Sequence, residues 1–366
     1  MKTKAAVLHE YQKPLIIEEL DLDGPKEREV LVQYKVAGLC HSDWSMFTGA
    51  IPVLPLPLVA GHEGAGVVLE VGPGVTRVRP GDHVVLIWVP VCGQCYYCLK
   101  GLYSSCVNKR VALTGAMLDG TYRLKKGSQN ISILFGVGSF SEYNVVNELS
   151  VLPIEHEITF DVALFGCAVM TGVGAAINTA KVKPGTSVAV VGAGGIGLNV
   201  IQGAVLASAT KIIAIDMISE KLEMAKDFGA THVINASVED PVEKVMEITG
   251  GIGVDYAFEA SGHPEAALTC YKILDRGGSA VIVGMPDPTA EITLPVIDFA
   301  RTEKNILGCN YGSGDIRRDM KTLIDLYRIG RLKLSELVTK RYSLEQINEG
   351  FKDMHLGKNA RGVIVY

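Results

Sequence analysis

The sequence predicts an α/β protein in which a doubly wound parallel sheet is joined to a β-rich, barrel-like domain. Three observations carry this expectation. From residue 187 onward, short β-branched runs alternate with amphipathic stretches, the pattern of strands separated by helices. Residues 1–155 lack that alternation and read as short strands cut by turns such as Gly72-Pro73-Gly74 and Pro80-Gly81-Asp82. At 366 residues the chain is also too long for one ordinary core, so two domains are expected.

In the first part, residues 30–37, 66–71 and 83–89 are the clearest strands. The texture changes near Asp161. Residues 163–180 are helical in character, and Lys183-Pro184-Gly185 turns the chain into a strand at 187–191. Further strands fall at 212–216, 232–235, 254–259 and 279–283, with helices at 220–228, 242–249 and 264–274 between them. Two helices (319–329 and 344–355) and a terminal strand (362–366) follow, and the strand is expected to return to the first domain. The expected limits are 1–168, 169–305 and a returning segment, 306–366.

Composition narrows the function. Hydrophobic residues make up 48% and charged residues 20%, with a net charge of −5 and dispersed basic residues. This argues against nucleic-acid or anionic-membrane partners. No apolar run reaches the roughly 18 residues of a membrane span, and the N-terminus lacks a signal-peptide core, so a cytoplasmic location is expected.

Cys92, Cys95, Cys98 and Cys106 follow the spacing C-x2-C-x2-C-x7-C, dense enough for four thiolates to close round one ion. Zinc imposes no d-electron geometry and accepts such a tetrahedron. A full shell of four thiolates leaves no open position, so this lobe should hold structure. Cys270 and Cys309 lie in apolar stretches and read as buried free thiols, which favours a reducing compartment.

Residues 188–197 run from an apolar strand into Gly192-x-Gly194-Gly195-Ile196-Gly197. Gly192 permits a tight turn, Gly194 lets backbone N–H groups reach a pyrophosphate, and Gly197 lets helix and strand pack closely. The helix that opens there supplies partial positive charge. Asp216 ends the next strand, where a carboxylate accepts ribose hydroxyls and repels a 2′-phosphate. The expected cofactor is NAD.

Cys40 and His62 stand in loops of the β-rich part, and Cys167 begins the helical segment. Two thiolates and an imidazole would leave a fourth zinc position open for water or alcohol. Spacing alone equally allows a buried helical thiol and a loop histidine. Taken with Gly61-His62-Glu63-Gly64, the four-cysteine lobe, the glycine loop and the terminal Arg361-Gly-Val-Ile-Val, however, the whole chain resembles the zinc-dependent medium-chain alcohol dehydrogenases.

That resemblance implies a Rossmann domain beside a GroES-like catalytic domain, with the active site in the cleft between them, and two zinc ions per chain. It makes Cys40, His62 and Cys167 the catalytic zinc ligands and Ser42 the hydroxyl that takes the alcohol proton. Asp43 and Glu63 become carboxylates that orient His62 and tune the zinc. His41 and Arg361 are implied at the cofactor pyrophosphate, Asp216 and Lys221 at the adenosine ribose, and Thr171 behind the nicotinamide. Many relatives end the proton relay with a histidine where this chain has Ser45. Members with the longer segment after the lobe are often dimers, and a homodimer joined around residues 279–283 is expected.

The implied reaction is hydride transfer between a small alcohol or aldehyde and NAD. Residues 118–123 and Arg110 resemble the glutathione-dependent formaldehyde dehydrogenases, which makes the glutathione adduct an alternative substrate. Their acidic pair is replaced here by Ile51 and Val53 in a wholly apolar stretch, where a cationic amino group would have no partner. With Trp88 as a pocket wall, a hydrophobic benzylic, allylic or aliphatic primary alcohol fits better. Residues 311–318 look like bacterial members acting on such alcohols, some of which retain the nicotinamide tightly. A reading of another class is a non-catalytic zinc/NAD redox sensor.

Overall fold

β-Branched runs and turn glycines build two contact units in the computed structural model, which describes residues 1–50 and 54–366. The first unit comprises Met1–Cys167, Asp315–Asp325 and Leu334–Tyr366. Five short strands, Lys2–Leu8, Ile16–Leu22, Leu124–Lys126, Gln129–Ile133 and Leu58–Val59, close a barrel in that order. Beside them a seven-stranded sheet is organised on the long strand Glu29–Gly38. That strand pairs antiparallel with Gly64–Val71, Tyr143–Asn147 and the terminal Arg361–Val365. The last residues of the chain thus complete the sheet whose central strand leads to Cys40. Leu39, Phe47, Phe140 and Phe351 form part of one buried core there. Each such side chain removed from water contributes about 1.5–3 kcal/mol.

The second unit comprises Ala168–Gly314 and Leu326–Lys333. Its six strands are all parallel, in the order His232–Asn235, Lys211–Asp216, Ser187–Val191, Val254–Glu259, Leu274–Ile282 and Asn305–Gly308. The strand order reverses at Ser187–Val191, the switch point where doubly wound sheets bind ligands. Helices cover the sheet, and their ends obey local chemistry. Pro241–Thr249, for example, is capped by Asp240, whose carboxylate accepts from the N–H groups of Val242 and Glu243, and ends on left-handed Gly250.

Three details depart from the sequence reading. The stretch expected as one helix over 163–180 is a 3-10 helix, Phe160–Gly166, then a break at Cys167 (φ −147°, ψ −70°), an α-helix, Ala168–Gly174, and a π turn, Ala175–Thr179. A side chain on Gly166 would strike the Leu86 carbonyl at 2.5 Å, so the chain packs tightly just before it breaks. The sheet also continues past residue 305 in Asn305–Gly308, a four-residue strand too short to show a period, and the second unit runs on to Gly314. Residues 279–283, expected at a dimer seam, are mostly within Leu274–Ile282, which is paired on both sides; the sheet edges are His232–Asn235 and, next to Leu274–Ile282, Asn305–Gly308.

The segment after the four-cysteine lobe is anchored by a buried arginine. Arg123 is only 2% exposed and grips Glu29 with two bonds, Nε to Oε2 (2.7 Å) and Nη2 to Oε1 (2.5 Å), while Nη2 also donates to Asp119 (2.7 Å). Removing one partner strands a charge in the interior, which costs about 3–5 kcal/mol. Arg123→Met is therefore expected to lower the unfolding midpoint in urea by that order of stability; an unchanged midpoint would contradict the assignment.

Candidate metal centres and cofactor loop

The strand Glu29–Gly38 delivers Cys40 in extended conformation, immediately before the helix His41–Phe47. Gly61, at φ +88°, turns the chain so that His62 and Glu63 point inward. The break after Gly166 presents Cys167. Ligand atoms of Cys40, His62, Glu63 and Cys167 consequently lie within 4.8 Å of one another, and all four residues are buried. Ions with bonds of about 2.0–2.3 Å to sulfur and nitrogen suit such a group.

Asp43 sits beneath this cluster. Its Oδ1 accepts from the Gly61 N–H (3.1 Å) and faces His62 Nδ1 at 3.2 Å. With the Nδ1 proton held by a carboxylate, Nε2 is left as the metal-binding nitrogen. Glu63 was expected to help orient the imidazole, but its carboxylate instead accepts from Arg361 of the terminal strand. Arg361, expected at a pyrophosphate, is 5% exposed and donates through Nη2 to that carboxylate, while its Nε has no hydrogen-bond partner among the described residues. A Cβ on Gly38 would lie 1.9 Å from Glu63 Oε2, so this glycine makes room for the carboxylate. Only the absence of a side chain two residues before Cys40 hinted at that need.

The electrostatics are those of a crowded anionic site. The bond from Cys167 and the nearby His62 hold the Cys40 thiol well below its usual range, while that same bond and burial push Cys167 well above. Burial drives the imidazole of His62 down, yet Asp43 and Cys40 together raise it well above its ordinary value. Burial also pushes Glu63 up to about 7 against the pull of Arg361. A divalent cation would relieve this competition, and two sulfurs with one imidazole are the donors a zinc ion takes.

The second cluster, Cys92, Cys95, Cys98 and Cys106, has S···S separations of 4.0, 3.5, 4.0 and 3.6 Å around its ring of contacts. A tetrahedron with Zn–S bonds of about 2.3 Å has edges of about 3.8 Å, so these donors fit that ion.

Three further side chains continue from the first centre. Phe135 meets His62 edge-on at 5.9 Å and Trp88 at 5.0 Å. Lys109 Nζ stands 4.9 Å over the Trp88 ring, and burial lowers its pKa. Phe135 and Lys109 carry no sequence signal; Phe135 adopts φ +51°, which backbone rules disfavour and no motif marks. Arg110, the neighbour of Lys109, is exposed; Ser42 and Ser45 are half-buried on the helix that carries Asp43, and His41 is exposed. Ile51 and Val53 lie outside the described residues.

In the second unit the glycine loop has the geometry its spacing requires. Gly192 adopts φ +99°, and a Cβ on Gly197 would lie 1.8 Å from the Gly192 carbonyl. A Cβ on Gly194 would instead project into open space, the cradle a phosphate needs. The helix Gly195–Leu206 starts there without a side-chain cap, leaving the first-turn N–H groups of Gly195, Ile196 and Gly197 for an anion. Asp216 Oδ2 accepts from Ala193 N (2.7 Å) and Oδ1 from Ile218 N (3.0 Å), fixing the carboxylate at the loop tip with lone pairs to spare. Lys221 is half-buried on the following helix Ser219–Asp227, and Thr171 is buried in Ala168–Gly174.

Comparison with known proteins agrees with this construction. Residues 26–156 match the alcohol dehydrogenase GroES-like domain, and residues 195–328 match the zinc-binding dehydrogenase domain. An NDMA-dependent alcohol dehydrogenase of Amycolatopsis methanolica is 43% identical over all of this chain and 99% of its own. An S-(hydroxymethyl)glutathione dehydrogenase of Paracoccus denitrificans is 39% identical over the full length of both. The crystal structure of benzyl alcohol dehydrogenase from Acinetobacter calcoaceticus superposes with a TM-score of 0.94 at 33% identity, covering 100% of this chain and 99% of that one. GroES-like barrel, Rossmann sheet, two thiolate clusters and full-length relatives together make this chain a member of the zinc-dependent medium-chain alcohol dehydrogenases, a family of oxidoreductases.

Proposed function

We propose that this protein oxidises hydrophobic primary alcohols, benzylic, allylic or aliphatic, to aldehydes with NAD as hydride acceptor. The observation that carries the reading is the convergence of Cys40, His62 and Cys167 on one buried point, with His62 Nδ1 held by Asp43. These three residues would hold the catalytic zinc, and Cys92, Cys95, Cys98 and Cys106 the structural one. Zinc supplies Lewis acidity that acidifies an alcohol hydroxyl and polarises a carbonyl.

The protein's own groups do the rest. Ser42 takes the hydroxyl proton, and Ser45, in place of a relay histidine, leaves release to the ribose and solvent. Asp43 keeps the imidazole in one tautomer and orientation. Glu63 and Arg361 hold charge close to neutral beside the thiolates. The N–H groups after Gly194, with His41, bind the pyrophosphate, Asp216 and Lys221 the adenosine ribose, and Thr171 supports the nicotinamide. Met217 and Ile218 offer no cation to a 2′-phosphate, which supports NAD over NADP. Trp88 and Phe135 form the apolar wall that favours a hydrophobic substrate. Thiolate ligands need a reducing compartment, and the cytoplasm fits.

A homodimer is proposed through the free sheet edge Asn305–Gly308. The adjoining helix Val296–Thr302 buries none of its residues within the chain, and Val296 is 82% exposed. Charged substitutions at Val296 and Ile297 are expected to yield monomers in sedimentation; an unaltered mass would refute this edge.

The decisive assay is NADH formation across benzylic, allylic and aliphatic alcohols, and across formaldehyde with glutathione, each with and without an artificial hydride acceptor. Turnover on apolar alcohols is expected. A requirement for the acceptor would mean a retained cofactor, as the name of the Amycolatopsis relative leads one to check, and turnover only in the glutathione wells would replace the substrate proposed. Cys167→Ala and His62→Ala should each lose at least about a thousandfold in kcat, several kcal/mol of transition-state stabilisation, while NAD still binds. Full activity in either would remove the catalytic-zinc assignment, and a non-catalytic redox sensor predicts no turnover at all. Asp216→Gly should shift the NAD/NADP ratio of kcat/KM toward NADP; an unchanged ratio would take Asp216 away from the ribose.

A further inference from the structure

A carboxylate lies buried at the C-terminal edge of the parallel sheet without a cation beside it. Glu259 ends the strand Val254–Glu259 and is 1% exposed, and among the described residues no basic side chain forms an ion pair with it. Its own turn holds it instead. Oε1 accepts from the Ser261 N–H (2.6 Å), the Ser261 hydroxyl (2.7 Å) and the Gly262 N–H (2.7 Å). Bonds to a charged acceptor are about twice as strong as neutral ones, so residues 260–262 are drawn back over the strand end. The carboxylate does not serve the helix that follows, since Pro264–Lys272 starts after His263 without a side-chain cap.

The turn is wedged between the exits of two other strands of the same unit. Ala260 N donates to the Val191 carbonyl (2.9 Å), while Val283 N and Gly284 N donate to the Glu259 carbonyl (2.9 and 3.0 Å). A Cβ on Gly192 would lie 3.1 Å from Ser261 N, and one on Gly284 would lie 2.3 Å from Gly262 N and 2.5 Å from Glu259 Oε2. Ser261 is nevertheless exposed, so the turn offers a surface whose N–H groups face inward. The strand order reverses here. Gly192–Gly197 and Asp216 lie on one side of the crevice after Ser187–Val191, and the turn 260–262 lies on the other. A dinucleotide that sets its adenosine and phosphates on the first side brings its nicotinamide to the second.

We propose that Glu259 is a positioning residue for the nicotinamide half of the cofactor: it binds Ser261 and Gly262 to its own carboxylate and so fixes the crevice wall opposite Asp216. The inference rests on the NAD reading above and goes beyond it, to a residue outside the glycine fingerprint. Glu259→Leu leaves three donors without an acceptor and frees the wall, whereas Glu259→Gln keeps an oxygen where Oε1 stands.

The test titrates zinc-loaded, nucleotide-free protein with NADH and, separately, with AMP, which carries only the adenosine half. In Glu259→Leu the Kd of NADH should rise at least about tenfold while that of AMP changes by less than about twofold, and Glu259→Gln should recover most of the NADH affinity. In turnover the same variant should raise KM for NAD with little change in KM for the alcohol. Unchanged NADH binding in Glu259→Leu, or equal losses for NADH and AMP, would overturn the proposal, because a merely structural role weakens both halves alike. Should Glu259→Leu not fold, Ser261→Ala decides: it removes one donor of the three and must weaken NADH by about threefold with AMP unaffected, and any other pattern refutes the assignment. If neither ligand binds the unaltered protein, the cofactor reading itself fails and takes this proposal with it, an outcome distinct from selective loss in the variants.

Discussion

The first unit is organised by the need to bury several acidic donors at one point. Cys40, Cys167 and Glu63 crowd round His62, and Asp43 stands below it, all out of solvent. Two unit charges about 4 Å apart repel by about 4 kcal/mol even at an effective dielectric of 20. Such a group is tolerable only if positive charge is brought to it. Part comes from Arg361, and the donor set calls for a divalent ion to complete the balance. The fold serves this requirement. Arg361 arrives on the strand that pairs with Glu29–Gly38, so the two ends of the chain must meet before the centre is neutral. Gly38 removes the side chain that would strike Glu63, and Gly61 the one that would strike Ser139 and Phe140.

In the second unit the governing constraint is backbone proximity. Gly197 allows the helix to touch the Gly192 carbonyl, and this contact aims the first-turn N–H groups at the end of the switch-point strand. Asp216 then accepts from the Ala193 N–H, tying the tip of the loop to the neighbouring strand. Opposite signs of charge are thereby set side by side, donors for phosphate and a carboxylate for hydroxyl groups. A dinucleotide presents the same two chemistries in the same order.

Features that depend on local pattern were legible in the sequence. The parallel strands, the glycine loop with Asp216 and the spacing of the four lobe cysteines all follow from periodicity or short motifs. Cys40, His62 and Cys167 were individually visible, but their meeting became an expectation only through family resemblance, because no spacing rule spans 127 residues from Cys40 to Cys167. What stayed hidden depends on distant pairing or on strain. The helix break at Cys167 overrides good helical propensity on both sides, since tight packing at Gly166 allows no regular continuation. The Glu63–Arg361 pair joins positions at opposite ends of the chain. Phe135 reaches His62 only by adopting a left-handed backbone, which nothing in its neighbours announces.

The same distinction bears on substrate choice. The segment 118–123 resembles that of glutathione-linked dehydrogenases, and taken as a motif it would argue for a glutathione adduct. Its chemistry here is internal: Arg123 is spent on Glu29 and Asp119, and Thr121 donates to Asp119 while accepting from Arg123. These bonds tie the segment into the framework after the four-cysteine lobe. From His62 the rings of Phe135 and Trp88 follow one another at 5.9 and 5.0 Å, so the metal centre is flanked by aromatic surface that the barrel unit itself supplies.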